Sequence, residues 1–193
     1  ETWNGTNWTE VNDLNTARVT LAGAGTNTAA LGFGGTSPIY ALTETWNGTN
    51  WTEVNDLNTA RPKLAGTGAT NTEALAFGGD NGGGVVKANT ELWNGTNWTE
   101  VNDLNTARYG LAGAGTQTSA LGMGGTGGAP GTDAESWNGT NWTTITSMGT
   151  ARYYAGGAGA SNGSALTFGG NPGPTTATEE WNAGPQTVTF DVS

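Results

Sequence analysis

This 193-residue chain contains no cysteine and no histidine, and only six Lys and Arg stand against sixteen Asp and Glu. Without cysteine, disulfides and thiolate metal sites are excluded, and without either residue no ordinary nucleophile–base pair can form. The formal charge of −10 removes the electrostatic footprint that nucleic acid or an anionic membrane surface would require. No apolar run is long enough for a membrane-spanning helix, and none is expected to act as a signal peptide at its start. The first residue is Glu rather than Met, as expected of a processed, excised or partial product.

Glycine, tryptophan and repetition are abundant. The 34 Gly show no Gly-X-Y period, and nine Trp argue against a disordered chain. Glu1 to Arg18 reads ETWNGTNWTEVNDLNTAR, Glu44 to Arg61 is identical, Glu91 to Arg108 differs only at Leu92, and Glu135 to Arg152 is a drifted copy. Registered on the Trp of each motif, Trp3, Trp46, Trp93, Trp137 and Trp181 lie 43, 47, 44 and 44 residues apart. That period fits propeller blades better than most helical repeats.

Each repeat carries signals for strands. Asn47-Gly48 between β-favouring residues predicts a two-residue hairpin turn, which would set Trp46 opposite Thr49 and Glu44 opposite Trp51, with the two Trp as diagonal neighbours on one face. The same arrangement is expected for Trp3 with Trp8, Trp93 with Trp98, and Trp137 with Trp142. Upstream of each hairpin lies a small-residue strand, such as Leu21 to Gly25, whose glycines predict close approach of other backbones on the innermost strand. A second strand follows, with Leu31 and Phe33, Leu75 and Phe77, Leu121 and Met123, or Leu166 and Phe168 on one face. It ends in a glycine pair: Gly34-Gly35, Gly78-Gly79, Gly124-Gly125 or Gly169-Gly170.

The unit is therefore a four-stranded antiparallel sheet, and it resembles the kelch repeat in its double glycine, Trp46, Trp51 and Arg61. It departs from that family in having Trp-Asn-Gly where a Tyr-rich strand end is commoner, and in a uniform VNDLNTAR spacer. The near-identical WNGTNW blades are also similar to kelch-like repeats of marine bacteriophage structural and tail proteins. The resemblance implies an all-β, kelch-like β-propeller of four-stranded antiparallel blades, one domain over 1–193. Its parts are a terminal hairpin at 1–11 and repeats at approximately 12–54, 55–101, 102–145 and 146–193. Four inner strand pairs face five outer ones, so four complete repeats plus an extra N-terminal outer hairpin are expected, with five blades as the alternative. An outer hairpin without inner strands leaves open edges, and self-association through terminal strands is expected from them.

Stacking blades would bury the paired Trp between neighbours, at about 4–6 kcal/mol each as an upper bound for full burial. Arg18, Arg61, Arg108 and Arg152 could line an anion site, but structural bonding to carbonyls or carboxylates is the expected role. Asp13, Asp56 and Asp103 in the spacer suit Asx turns better than a cation site, and Asp80-Asn-Gly-Gly reads as a turn rather than a calcium loop. No metal and no cofactor are expected.

Variation is concentrated in the loops between second and third strands: Thr36 to Leu42, Asp80 to Asn89, Thr126 to Asp133, and Asn171 to Ala177. Loops on a rigid scaffold carry recognition. Tyr40, Asp80, Asn81, Lys87, Asp133 and Asn171 are the candidate binding residues, with a protein or glycan receptor as the expected partner. The expected function is a non-catalytic binding or structural module, in a phage tail fibre or other virion component, hence virion or extracellular. The alternative is a purely structural or engineered repeat scaffold without a ligand. A glycoside-active enzyme is the weakest reading, since no acidic pair stands apart from its repeat. Nine Asn-x-Ser/Thr sequons, eight of them by-products of the hairpin motif, point to a bacterial or viral source rather than to glycosylation.

Overall fold

A computed structural model describes residues 1–173 and 175–184. Its strands fall where the alternating and small-residue patterns lie, and no helix occurs among the described residues. The N-terminal hairpin comprises β1 (Thr2–Trp3) and β2 (Trp8–Thr9). Blade 1 follows as β3 (Ala22–Thr26), β4 (Ala29–Phe33), β5 (Thr43–Trp46) and β6 (Trp51–Val54). Blade 2 holds β7 (Ala65–Thr70), β8 (Glu73–Phe77), β9 (Thr90–Trp93) and β10 (Trp98–Val101). Blade 3 holds β11 (Ala112–Gly115), β12 (Ala120–Met123), β13 (Ala134–Trp137) and β14 (Trp142–Ile145). Blade 4 shows β15 (Gly156–Ser161), β16 (Ser164–Phe168) and β17 (Thr178–Asn182); the strand expected at 187–192 lies outside the described residues. Every blade is an antiparallel meander, and the inner strands β3, β7, β11 and β15 pack in chain order. The fold is a four-bladed β-propeller.

The hairpin turn differs from expectation. Trp46 pairs directly with Trp51, not with Thr49, so the loop is the four residues Asn47 to Asn50. The Asn47 side chain explains the longer loop, because its Oδ1 accepts from both the Thr49 and Asn50 amides at 2.9 Å while Gly48 takes φ 91°. The two Trp still share a face, as a directly opposed pair with ring centroids 5.5 Å apart. The same pairing recurs at Trp3–Trp8, Trp93–Trp98 and Trp137–Trp142.

The cores lie between blades rather than within them. Phe33 of blade 1 meets Trp98 of blade 2 at 4.9 Å, and Phe77 of blade 2 meets Trp142 of blade 3 at 4.8 Å. Leu57 and Leu104 from the spacers complete these two clusters, and Ala112, Leu121, Met123 and Ala165 fill the third, with Met148 beside them. The glycine pairs are required twice over. Gly34 and Gly78 both take φ 68°, and a Cβ at Gly34 would lie 2.7 Å from the Arg61 carbonyl oxygen of the next blade. Gly169 has the same φ, but among the described residues a Cβ there would come no nearer than 4.0 Å, to the Thr175 carbonyl oxygen.

The extra hairpin continues the array upstream of blade 1. Asn12 Nδ2 donates to the Thr49 carbonyl at 2.9 Å and to Asn50 Oδ1 at 2.7 Å, as Asn55 does to Thr96 and Asn97 one repeat later. Its Trp3 and Trp8 are 45% and 64% exposed, whereas the equivalent Trp93 and Trp98 are buried, Trp98 against Phe33 of the preceding blade. On the far side of blade 4, Leu166 and Phe168 are 41% and 45% exposed, whereas Leu31, Leu75, Phe33 and Phe77 are buried. A seam between blade 4 and blade 1 thus exposes unpaired blade surfaces on both sides.

Candidate binding face

Each spacer ends in an Arg that ties its blade together. Arg61 Nη1 donates to the Gly78 and Asn89 carbonyls, both at 2.7 Å, and Nη2 donates to Glu91 Oε1 at 2.8 Å. Glu91 Oε2 accepts from the Asn58 amide at 2.7 Å and from Asn58 Nδ2 at 2.9 Å. Arg18 with Glu44, Arg108 with Glu135 and Arg152 with Glu179 repeat the pair. Burial pulls the Arg18, Arg61 and Arg108 guanidinium groups below their ordinary value, against the pull of their glutamates. These Arg sit inside the blades, where they bond carbonyls and carboxylates. For Glu179, burial pushes the carboxyl up, but bonds from the Gly149 and Thr150 amides and the Arg152 charge hold it below its usual range. Asp56 and Asp103 accept from the Thr43 and Thr90 amides at 3.1 Å, so they cap the third strand of the preceding blade instead of forming the expected local Asx turns.

The polar side chains of the repeated segments are thereby largely engaged within the fold. At one end of the propeller, the loops between second and third strands meet the segments that enter the inner strands. The bridges Val19–Thr36, Tyr109–Thr126 and Tyr153–Asn171 join the two sets, and in blade 2 the Asp80 amide donates to the Pro62 carbonyl. The six candidate residues all lie in these loops but differ in environment. Asp80 is fully buried and paired with Lys63 at 2.7 Å, and its Oδ1 accepts from the Gly82 amide. Asn81 Oδ1 accepts from the Gly83 and Val85 amides, which makes the Asp80-Asn-Gly-Gly segment a turn. Tyr40 is half-buried, and its hydroxyl donates to the Ser37 carbonyl at 3.2 Å. Lys87 is half-buried with its amide on the Gly79 carbonyl, while Asp133 and Asn171 are exposed.

Sequence reading missed the dipeptides between each Arg and the inner strand: Val19-Thr20, Pro62-Lys63, Tyr109-Gly110 and Tyr153-Tyr154. Their signal was available, because they change in every copy while the Arg before them does not. Thr20, Lys63, Gly110 and Tyr154 occupy equivalent positions with φ of 55°, 57°, 67° and 54°. Their backbones form a ladder around the axis. Lys63 N donates to Thr20 O at 3.0 Å, Gly110 N to Lys63 O at 2.8 Å, and Tyr154 N to Gly110 O at 2.7 Å. The side chains continue the arc, with Lys63 Nζ 4.7 Å from the Tyr109 ring centroid, Tyr109 6.2 Å from Tyr154, and Tyr154 5.1 Å from Tyr153. The hydrogen bond to Asp80 raises Lys63 above its ordinary value, so the ammonium is fixed as a cation.

The large apolar side chains exposed to solvent fall into two groups. Val19, Ile39, Val85 and Tyr154 lie on this loop face, and Trp3, Trp8, Leu166 and Phe168 lie at the seam. Compared with protein-family models and with curated proteins, the chain matches none. The propeller fold by itself suggests a binding or structural module.

Proposed function

We propose that this propeller is a non-catalytic binding module that recognises a protein or glycan partner through its loop face. The observation that carries the reading is the grouping of Val19, Ile39, Val85 and Tyr154 there, all outside the repeated copies. Exposed apolar groups gathered on one face, among polar loop residues, mark interaction sites. In its finer form, the reading is a kelch-type propeller in a virion component such as a phage tail fibre, with the partner on a cell surface. Binding to immobilised glycans and to whole bacterial cells tests it. Ile39→Asp with Val85→Asp is expected to lower binding at least tenfold while thermal unfolding stays unchanged. Retention of full binding by that variant would sink the assignment of the face.

Self-association belongs to the same proposal and rests on the other apolar group. Leu166 and Phe168 repeat the surface that Phe33 and Phe77 bury against Trp98 and Trp142, and the N-terminal hairpin offers Trp8 uncovered. A second copy docked head to tail can supply the missing contact. Native mass is expected to rise with concentration for the parent chain and to stay monomeric for Phe168→Asp. A parent chain that remains monomeric at every concentration would rule this out.

A further inference from the structure

We infer that the axial mouth of the loop face binds one hexose unit of a neutral glycan, which rests on the binding reading above and names the ligand class. A cavity of about 240 Å³ opens there, lined by the four ladder residues and by the residues immediately before the inner strands. Leu21, Leu64, Leu111 and Ala155 make an apolar floor, with Thr20, Lys63 and Tyr154 around it. The site combines apolar lining with a few convergent polar groups, as small-molecule sites do.

The side chains select for a sugar by their chemistry. A pyranose has an apolar C–H face and a rim of hydroxyls, and it needs a ring to lie on and donors beside it. Tyr154 is 44% exposed, and its ring lies over Gly110, where a Cβ would stand 3.1 Å from two ring carbons. The glycine in the third ladder position therefore makes the space in which the aromatic platform rests. Lys63 spends one N–H on Asp80 and turns its charge toward the Tyr109 ring, which leaves donor capacity at the mouth. The Tyr154 hydroxyl has no hydrogen bond among the described residues, and burial favours its protonated form, so it can donate.

Charge argues for a neutral ligand. Four of the six cationic side chains are the Arg paired inside the blades, and Lys63 is neutralised by Asp80. Only Lys87 remains to set against a chain of net charge −10, so an anionic sugar has little to bind to.

Ligand-observed NMR on the whole chain, with the methyl glycosides of glucose, galactose, mannose and N-acetylglucosamine, tests the inference. At least one is expected to bind saturably, with a dissociation constant on the order of 1–10 mM. Tyr154→Ala is expected to weaken that binding at least tenfold, with Tyr154→Phe intermediate and Trp8→Ala unchanged. Far-UV circular dichroism confirms that each variant is folded. Absence of saturable binding by all four glycosides, or equal binding by folded Tyr154→Ala, would overturn the axial site. Cell or receptor binding that survives Tyr154→Ala but not the Ile39 and Val85 replacements overturns the sugar site and leaves the functional reading standing.

Discussion

Replacing Glu91 by Ala is expected to destabilise the chain by about 3–5 kcal/mol, a fall of roughly 6–20 °C in melting temperature. The magnitude follows from what remains behind. The Arg61 guanidinium is fully buried and would lose its one carboxylate partner, while the Asn58 amide and side chain would lose the oxygen they donate to. A buried charge left without its partner is among the most costly single defects a core can carry. The Arg61→Met, Glu91→Met double variant is expected to recover only part of the loss, because the Gly78 and Asn89 carbonyls would still lack a donor. Glu179→Ala provides the internal contrast. That carboxylate makes the equivalent pair with Arg152, but its side chain is 28% exposed, so water can replace more of what is removed and the loss should be smaller. Thermal unfolding of the three variants checks the order. A loss below about 1 kcal/mol for Glu91→Ala would mean that the pair is screened like a surface ion pair.

The second large effect separates residues that the sequence makes identical. Trp98→Ala is expected to cost about 3–5 kcal/mol, whereas Trp8→Ala should stay within about 1 kcal/mol. Both occupy the second Trp of the same WNGTNW motif. Trp98 is buried between blades, stacked near Phe33 and Trp93, with its indole N–H donated to Thr43 Oγ1 at 3.0 Å. Trp8 is 64% exposed, with the Trp3 ring 5.6 Å away. Urea titration of the two variants measures the difference, and equal losses would show that the N-terminal hairpin is covered in solution.

Much of the blade was legible before any coordinates. Periodic Leu and Phe, small inner strands and glycine pairs are local patterns with a direct physical cause, and each appears where the pattern lies. Turn length was not, because Asn-Gly fits a two-residue turn by backbone preference alone and the reach of the Asn47 side chain to two amides decides otherwise. The glutamates of the third strand escaped notice for a different reason. Glu44, Glu91 and Glu135 alternate onto the same face as the Trp two residues later, but nothing local supplies a partner for a buried carboxylate, and only Asn and Arg from the spacer, 26–33 residues away, do so. Asp80 shows the converse, a loop carboxylate that reads as free until Lys63 is found beside it. The candidate face was half visible, since loop variation pointed to it while the changing dipeptides after each Arg were overlooked.

The ladder at the axis links one blade to the next through main-chain atoms alone, by way of Thr20, Lys63, Gly110 and Tyr154. The same left-handed backbone carries Thr, Lys, Gly and Tyr there, although Tyr154 packs against the bare Gly110. The residues packed between blades are close to uniform from copy to copy, whereas these positions differ in every copy on the same hydrogen-bonded backbone. Uniform blades and a chemically varied mouth are therefore compatible, since side-chain packing holds the one and main-chain bonds hold the other.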